Sequence, residues 1–173
     1  MLPYLRLAQL TDLPMIEQII TDAKKLLHDD QIDQWQNGQP NKTQFVQDIQ
    51  QQNCWVLCQH AKIVGTATLM FQADPNYQII YDGRWSSDAP YAVIHRFAVQ
   101  PAANGQHFGR YLFSNLLSQG CRQNYTHFRI DTHPDNLRMQ HLIMQAGFQN
   151  RGWIQLQNEQ QAPRLAYELD LDI

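Results

Sequence analysis

The sequence predicts an α/β layer architecture, on three observations. Apolar residues recur with period two in some segments and with helical spacing in others along the whole chain. The order of these segments is strand, helix, helix, three strands, helix, strand, helix and two strands, which calls for a sheet with helices packed against it. The 173 residues, 43% of them hydrophobic, suffice for a core that needs no disulfide staples. One domain over residues 1–173 is expected, with no internal repeat and no linker.

Residues 4–9, YLRLAQ, alternate and form the first strand. Thr11 or Asp12 then caps a helix whose Leu13, Ile16, Ile19, Ile20, Ala23, Leu26 and Leu27 share one face. A polar turn region around Asn37, Gly38 and Pro40 leads into a short helix over residues 42–52. Residues 54–60 and 62–71 read as a hairpin, and residues 72–90 as irregular with a candidate strand at 77–83. Residues 91–99, YAVIHRFAV, form a strongly apolar strand. In the helix that follows, Phe108, Leu112 and Leu116 stand at helical spacing. Residues 127–132 are a strand, and residues 135–147 a helix ended by Gly147, a residue suited to the left-handed position past a helix. Residues 148–157 and 164–173 supply two more strands.

Composition removes several functional classes. A net charge of −3 and the lack of any Lys/Arg run argue against nucleic acid and against a membrane surface. No apolar stretch reaches the ~18 residues of a spanning helix. The first residues lack a basic region and an apolar core, so no signal peptide is expected. Three unpatterned cysteines, Cys54, Cys58 and Cys121, suit a reducing cytoplasm. Cys54 and Cys58 stand ~13 Å apart by strand rise, too far to share a metal ion.

The most informative stretch is IHRFAVQPAANGQHFGRYL, residues 94–112. It runs from apolar strand through Pro101 and a loop with Gly105 and Gly109 into a helix. A helix start leaves backbone N–H groups unpaired and carries partial positive charge, so small residues ahead of it suit a pyrophosphate. Arg110, in the first turn, adds a cation. An ordinary strand-to-helix turn would use the same glycines for tight geometry alone. Neither a Gly-Lys-Ser/Thr loop nor a G-x-G-x-x-G fingerprint with its acidic residue is present.

The strand ending at Val99, Pro101, the glycine loop, the helix, the next strand and then Asn136 followed by MQHLIMQAGF together resemble the GCN5-related N-acetyltransferase (GNAT) superfamily. The resemblance spans about residues 4–153. The superfamily's Q/R-x-x-G-x-G/A motif falls on Asn104-Gly105-Gln106-His107-Phe108-Gly109: Gly109 matches, while Asn104 and His107 depart. His107 brings a Cβ that a negative φ would accommodate.

The resemblance implies a central, mostly antiparallel sheet of six to seven strands with about four helices, splayed at a cleft for coenzyme A. It implies acetyl-CoA as cofactor and direct acetyl transfer to a primary amine of a small molecule or peptide, with a homodimer as the candidate assembly. Backbone groups of Phe97, Ala98 and Val99 would pair with the pantetheine arm, and Asn104 to Arg110 would hold the pyrophosphate. Asn136 would contact the coenzyme, cap its helix, or both.

An ammonium with a pKa of about 10.4 must lose a proton before it attacks, and histidine suits that task. His95 is the candidate base: regular alternation would put it on the strand face of Phe97 and Val99, and the superfamily's aralkylamine transferases carry a base histidine at the matching position. An inward-facing packing histidine is the alternative. The tyrosine that often acts as acid in the superfamily is Ile143 here. Asp131 and His133 would line the acceptor side or cap a loop. Asp29, Asp30, Asp33 and Trp35 would attract a cationic amine, or form a solvated loop with Trp35 on the core. Trp85, within residues 81–91, is a further candidate wall. His28, His60, His127 and His141 are assigned to surface or packing. The second functional reading is a module that binds coenzyme A and transfers slowly or not at all.

Overall fold

The structure is a computed structural model that describes residues 2–101, 106–157 and 162–171. Its elements are β1 (Tyr4–Leu7), α1 (Leu13–Asp29), α2 (Lys42–Gln50), β2 (Cys54–Gln59), β3 (Lys62–Met70), β4 (Tyr91–Val99), α3 (Phe108–Arg122), β5 (His127–Thr132), α4 (Leu137–Gln145), β6 (Gln149–Gln155) and β7 (Pro163–Asp170). The seven strands form one mostly antiparallel sheet in the order β1-β2-β3-β4-β5-β7-β6. β4 and β5 are its parallel pair, in register from Tyr91↔His127 to Val93↔Arg129. The expected order of strands and helices is the observed one. By contact density the chain falls into two compact units: Met1–Leu69 with His95–Leu116, and Met70–Ile94 with Leu117–Ile173.

The first unit is built on α1. Leu13, Ile16, Ile19 and Ile20 are buried against Phe45 and Ile49 of α2, Cys54, Val56 and Cys58 of β2, and Ala98 of β4. Leu26, expected on the same face, is exposed, because at 100° per residue it falls at the edge of the stripe that Leu13, Ile16, Ile20 and Leu27 centre. Asp12 stands at the start of α1, but its carboxylate does not cap the helix. It accepts from Arg6 at 2.6 and 2.9 Å and from the Gln9 amide at 2.8 Å. The Arg6 bonds hold its carboxyl below the usual range. α2 is capped by Asn41, whose side chain accepts from the Gln44 amide. The β2–β3 hairpin turns through His60 and Ala61, both left-handed at φ 48 and 62, which is the geometry of a two-residue type I′ turn.

In the second unit Tyr77, Val93, Ile154 and Ala166 form a buried cluster, with Trp85, Tyr91 and Leu156 against it. The candidate strand at residues 77–83 is replaced by a 3-10 turn, Pro75–Tyr77, and a single bridge from Tyr81 to Trp153. Asp74 caps that turn, and Asp82 is left-handed at φ 52, so extended backbone is interrupted at both ends. Gly147 does end α4, with φ 96.

The irregular segment is tied down by a buried charge network. Arg129 of β5 and Glu168 of β7 are 4% and 1% exposed and meet at 3.1 Å. The Arg129 guanidinium lies 4.0 Å from the Trp85 ring centre and 3.8 Å from that of Tyr91, and donates to the Ser87 carbonyl. Glu168 also accepts from the amide and hydroxyl of Ser86. Burial alone would push Glu168 up, but the bonds from Ser86 and Arg129 outweigh it and hold the carboxyl below its usual range.

Removing one member of a buried ion pair costs about 3–5 kcal/mol when the other is left alone. Arg151 also reaches Glu168, at 3.2 Å, and remains when Arg129 is lost, so Arg129→Met is expected to lower the urea midpoint at pH 7 by less than that full cost. Because the folded value of Glu168 is depressed, its stabilisation exists above the unfolded value of about 4.3 and fades as pH falls through the folded one. The gap between wild type and variant should narrow below about pH 4. A gap independent of pH would assign the loss to packing of the arginine stem alone.

Candidate active site

The C-terminal half of β4 and the start of α3 lie together in the first unit. β4 does not run as a regular strand: Arg96 adopts φ 51, a left-handed conformation that non-glycine residues visit rarely. A left-handed residue inside a strand breaks the extended backbone, the local geometry of a β-bulge, and re-aims the side chains beside it. Past it, Phe97 stacks on Phe113 of α3, with ring centres 4.4 Å apart at 26°. Ala98 faces the α1–α2 core instead. Val99 and Leu112 converge over Gly65 of β3, where an added Cβ would meet Val99 Cγ1 at 3.1 Å and the Ala98 carbonyl at 3.2 Å. The Gln100 amide donates to Val64 at 3.0 Å and closes this end of β4 onto β3.

Asn104 and Gly105 lie outside the described residues. Gln106 and His107 are exposed, Phe108 and Gly109 buried, and Arg110 exposed. The His107 carbonyl accepts from the amides of Arg110 at 3.0 Å and Tyr111 at 3.2 Å, so helical bonding begins there. His107 has φ 56, not the negative value that would accommodate its Cβ. The backbone at this position thus takes a conformation suited to glycine, and histidine is among the residues that tolerate it best. α3 is 15 residues long, and its first-turn amides and partial positive charge sit beside a residue without a side chain, Gly109.

His95 is half-buried and immediately precedes the bulge. The alternation that would put it on the face of Phe97 and Val99 does not carry across a left-handed Arg96. Asn136 belongs to the second unit, where its side-chain oxygen accepts from the Met139 amide and caps α4. Ile143 is fully buried in that helix. Asp131 accepts from the Tyr77 hydroxyl at 2.6 Å. Burial, then the Asp131 charge, pushes that phenol well above its usual range. His133 accepts from the Asp135 amide at 3.1 Å, the loop-capping role. Asp29 pairs with Lys25 at 2.6 Å and Trp35 packs on the first unit's core. Trp85 donates to the Tyr77 carbonyl and stacks on Arg129. Burial pushes the Cys54 thiol up to about 11, so it is inert at neutral pH. Among the described residues no cluster could hold a metal ion. No described helix is long and apolar enough to cross a membrane.

Two residues beside this site escaped sequence reasoning. Asp48 of α2 is 5% exposed and binds Arg96 through both carboxylate oxygens, at 2.8 and 2.9 Å. The signal was present: Asp48 lies between Phe45 and Ile49 on the apolar face of α2, and an acid on such a face requires a partner.

Within this sheet order, a strand with a left-handed residue leads into a helix start that carries a glycine, an arrangement suited to a bound anion. The Acetyltransferase (GNAT) family profile matches residues 20–148, and the chain belongs to that family. A GNAT-family acetyltransferase of Streptococcus agalactiae is 26% identical, with a TM-score of 0.91 over 99% of this chain and 96% of that one. A Salmonella typhimurium protein solved with its cofactor acetyl-CoA is 17% identical, with a TM-score of 0.70 over 100% and 96%. The ribosomal-protein-S18-alanine N-acetyltransferase of Escherichia coli is 16% identical, with a TM-score of 0.67 over 99% and 96%. No curated protein matches the chain.

The conformation of His107 gives a prediction. A left-handed non-glycine residue costs about 1–3 kcal/mol, most for β-branched side chains. His107→Gly is expected to leave Tm unchanged or raise it slightly, and His107→Val to lower it by several degrees in a calorimetric scan. Equal Tm for the two variants would contradict the left-handed assignment.

Proposed function

We propose that the protein is an N-acetyltransferase that moves an acetyl group directly from acetyl-CoA to a primary amine of a small molecule or peptide. The observation that carries this reading is the junction of β4 and α3: a helix start with a left-handed His107 and the side-chain-free Gly109, entered from a bulged strand. Those donors fit a pyrophosphate, an anion that needs backbone N–H groups and close approach. Asn104 to Arg110 would hold the pyrophosphate, and main-chain groups of Phe97, Ala98 and Val99 the pantetheine arm, as an added strand is held. When bound, the cofactor supplies an acetyl thioester.

The chain's own residues supply the proton handling. His95 takes a proton from the acceptor ammonium at an imidazole nitrogen, leaving a neutral amine able to attack. A backbone N–H at the bulge polarises the acyl carbonyl. No dedicated acid is needed for the departing thiol, whose pKa is about 8.5. Tyr111, half-buried in the first turns of α3, or water serves if one acts.

One observation favours the alternative of a coenzyme A-binding module. Ile143, where the superfamily often has its acid, is fully buried hydrocarbon. Turnover on an amine panel, measured as thiol release beside a thermal shift with acetyl-CoA, separates the two readings. A shift without release on a broad panel supports the module.

The cofactor site predicts a ranking. Gly109→Glu puts bulk and negative charge at the helix start and is expected to weaken acetyl-CoA by more than about tenfold in calorimetry. Arg110→Ala removes an exposed cation and is expected to cost about fivefold or less. Unchanged affinity in a folded Gly109→Glu protein would remove this helix start from the site.

The base assignment predicts a pH profile. Wild-type kcat/KM should rise with pH through the neutral range, and His95→Gln should lose that limb with a deficit of about 10²–10⁴-fold near neutrality. The deficit should shrink at high pH, where more of the amine is already free. Full activity of His95→Gln across the range would exclude His95 as the base.

A further inference from the structure

Arg96 stands between the proposed base, His95, and the proposed pantetheine strand, Phe97 to Val99, and it is the residue that bends β4. A non-glycine residue persists in the left-handed region only where its surroundings hold it there. Here the hold is visible. The Arg96 Nε donates to Asp48 Oδ2 at 2.8 Å and its Nη2 to Asp48 Oδ1 at 2.9 Å, a two-point fork that fixes the guanidinium in position and in plane. The Thr68 hydroxyl of β3 donates to the same Oδ2 at 2.9 Å, and Arg96 Nε lies 3.2 Å from that hydroxyl. Asp48 and Thr68 are 5% and 0% exposed, so the fork works with little solvent screening.

The bulge has consequences on either side. Were Arg96 to relax into extended backbone, the side chains after it would be displaced towards the opposite face. Phe97 would then leave Phe113, and Val99 would leave Leu112 above Gly65. Main-chain groups of the same three residues would turn with them.

We infer that Arg96 and Asp48 are a positioning pair that locks the β4 bulge in the geometry needed for acetyl-CoA, with Thr68 as its buttress. Neither residue touches the reacting atoms; both act through the backbone of residues 95–99. The inference rests on the acetyl-CoA reading above and assigns a residue of α2 to cofactor binding.

The test is a cycle of Asp48→Asn, Arg96→Lys and the double variant, with Thr68→Val as a milder fourth protein. Each is measured for acetyl-CoA affinity by calorimetry and for fold by circular dichroism and Tm. Ile19→Val, a core change on α1, controls for loss of stability alone. Each single variant of the pair is expected to weaken acetyl-CoA by about tenfold, the double variant by no more than the worse single one, and Thr68→Val by about twofold to threefold. Amide NMR signals of residues 95–99 should shift in the pair variants and stay in place in Ile19→Val. Should the Asp48 and Arg96 variants not fold, Thr68→Val carries the test against Ile19→Val on the same two readouts. Folded pair variants, or Thr68→Val in their place, that bind as tightly as Ile19→Val would overturn the positioning role while leaving the cofactor reading intact. A wild-type protein that binds no acetyl-CoA would overturn both.

Discussion

The φ of 51 at Arg96 is the constraint on which the rest of the candidate site depends. From Ala92 to Ile94, β4 is buried strand; after Arg96, successive residues serve different neighbours, Phe97 the α3 face and Ala98 the α1–α2 core. A regular strand would present a clean alternation. The bulged one brings a half-buried histidine, an unusual backbone turn and a helix start within one continuous stretch. The Asp48 carboxylate keeps that turn from relaxing, so a residue 48 positions earlier in the chain governs the shape of the strand.

The two units use the same device in different places. In each, a strand arginine is neutralised by an acid that is itself almost wholly buried: Arg96 by Asp48 in the first, Arg129 by Glu168 in the second. Buried pairs of this kind add little net stability over well-packed hydrocarbon, yet losing one partner is costly. Their effect is to single out one arrangement. In the second unit that arrangement is the course of residues 85–91, stacked on and bonded to Arg129. In the first it is the bulge.

Much of the fold was legible because period and punctuation agreed. Leu13, Ile16, Ile19 and Ile20 lie on the buried face that their spacing implied, and Gly147 is left-handed where a helix must stop. The segment at residues 77–83 misled because alternating apolar residues also suit a turn that tucks Tyr77 inward, and Pro75 with Asp74 decided for the turn. At the site, the helix start was readable from its glycine and flanking small residues. The conformations of Arg96 and His107 were not, since arginine carries no sign of a positive φ and histidine, though tolerant of one, does not require it. The second depends on the turn into α3, the first on a partner in α2 that local sequence could not name. Asn136 was readable as a cap, which is how its oxygen is used.

The central claim is that acetyl-CoA lies along the end of β4 and against the start of α3. An amide-resolved NMR titration of the isotopically labelled protein with acetyl-CoA tests it most directly, because it needs neither an acceptor nor a variant. The account predicts saturable shifts at Phe97, Ala98 and Val99 and at Phe108, Gly109 and Arg110, fitted by a single dissociation constant. Saturable shifts confined to other elements, with these six amides unmoved, would contradict it.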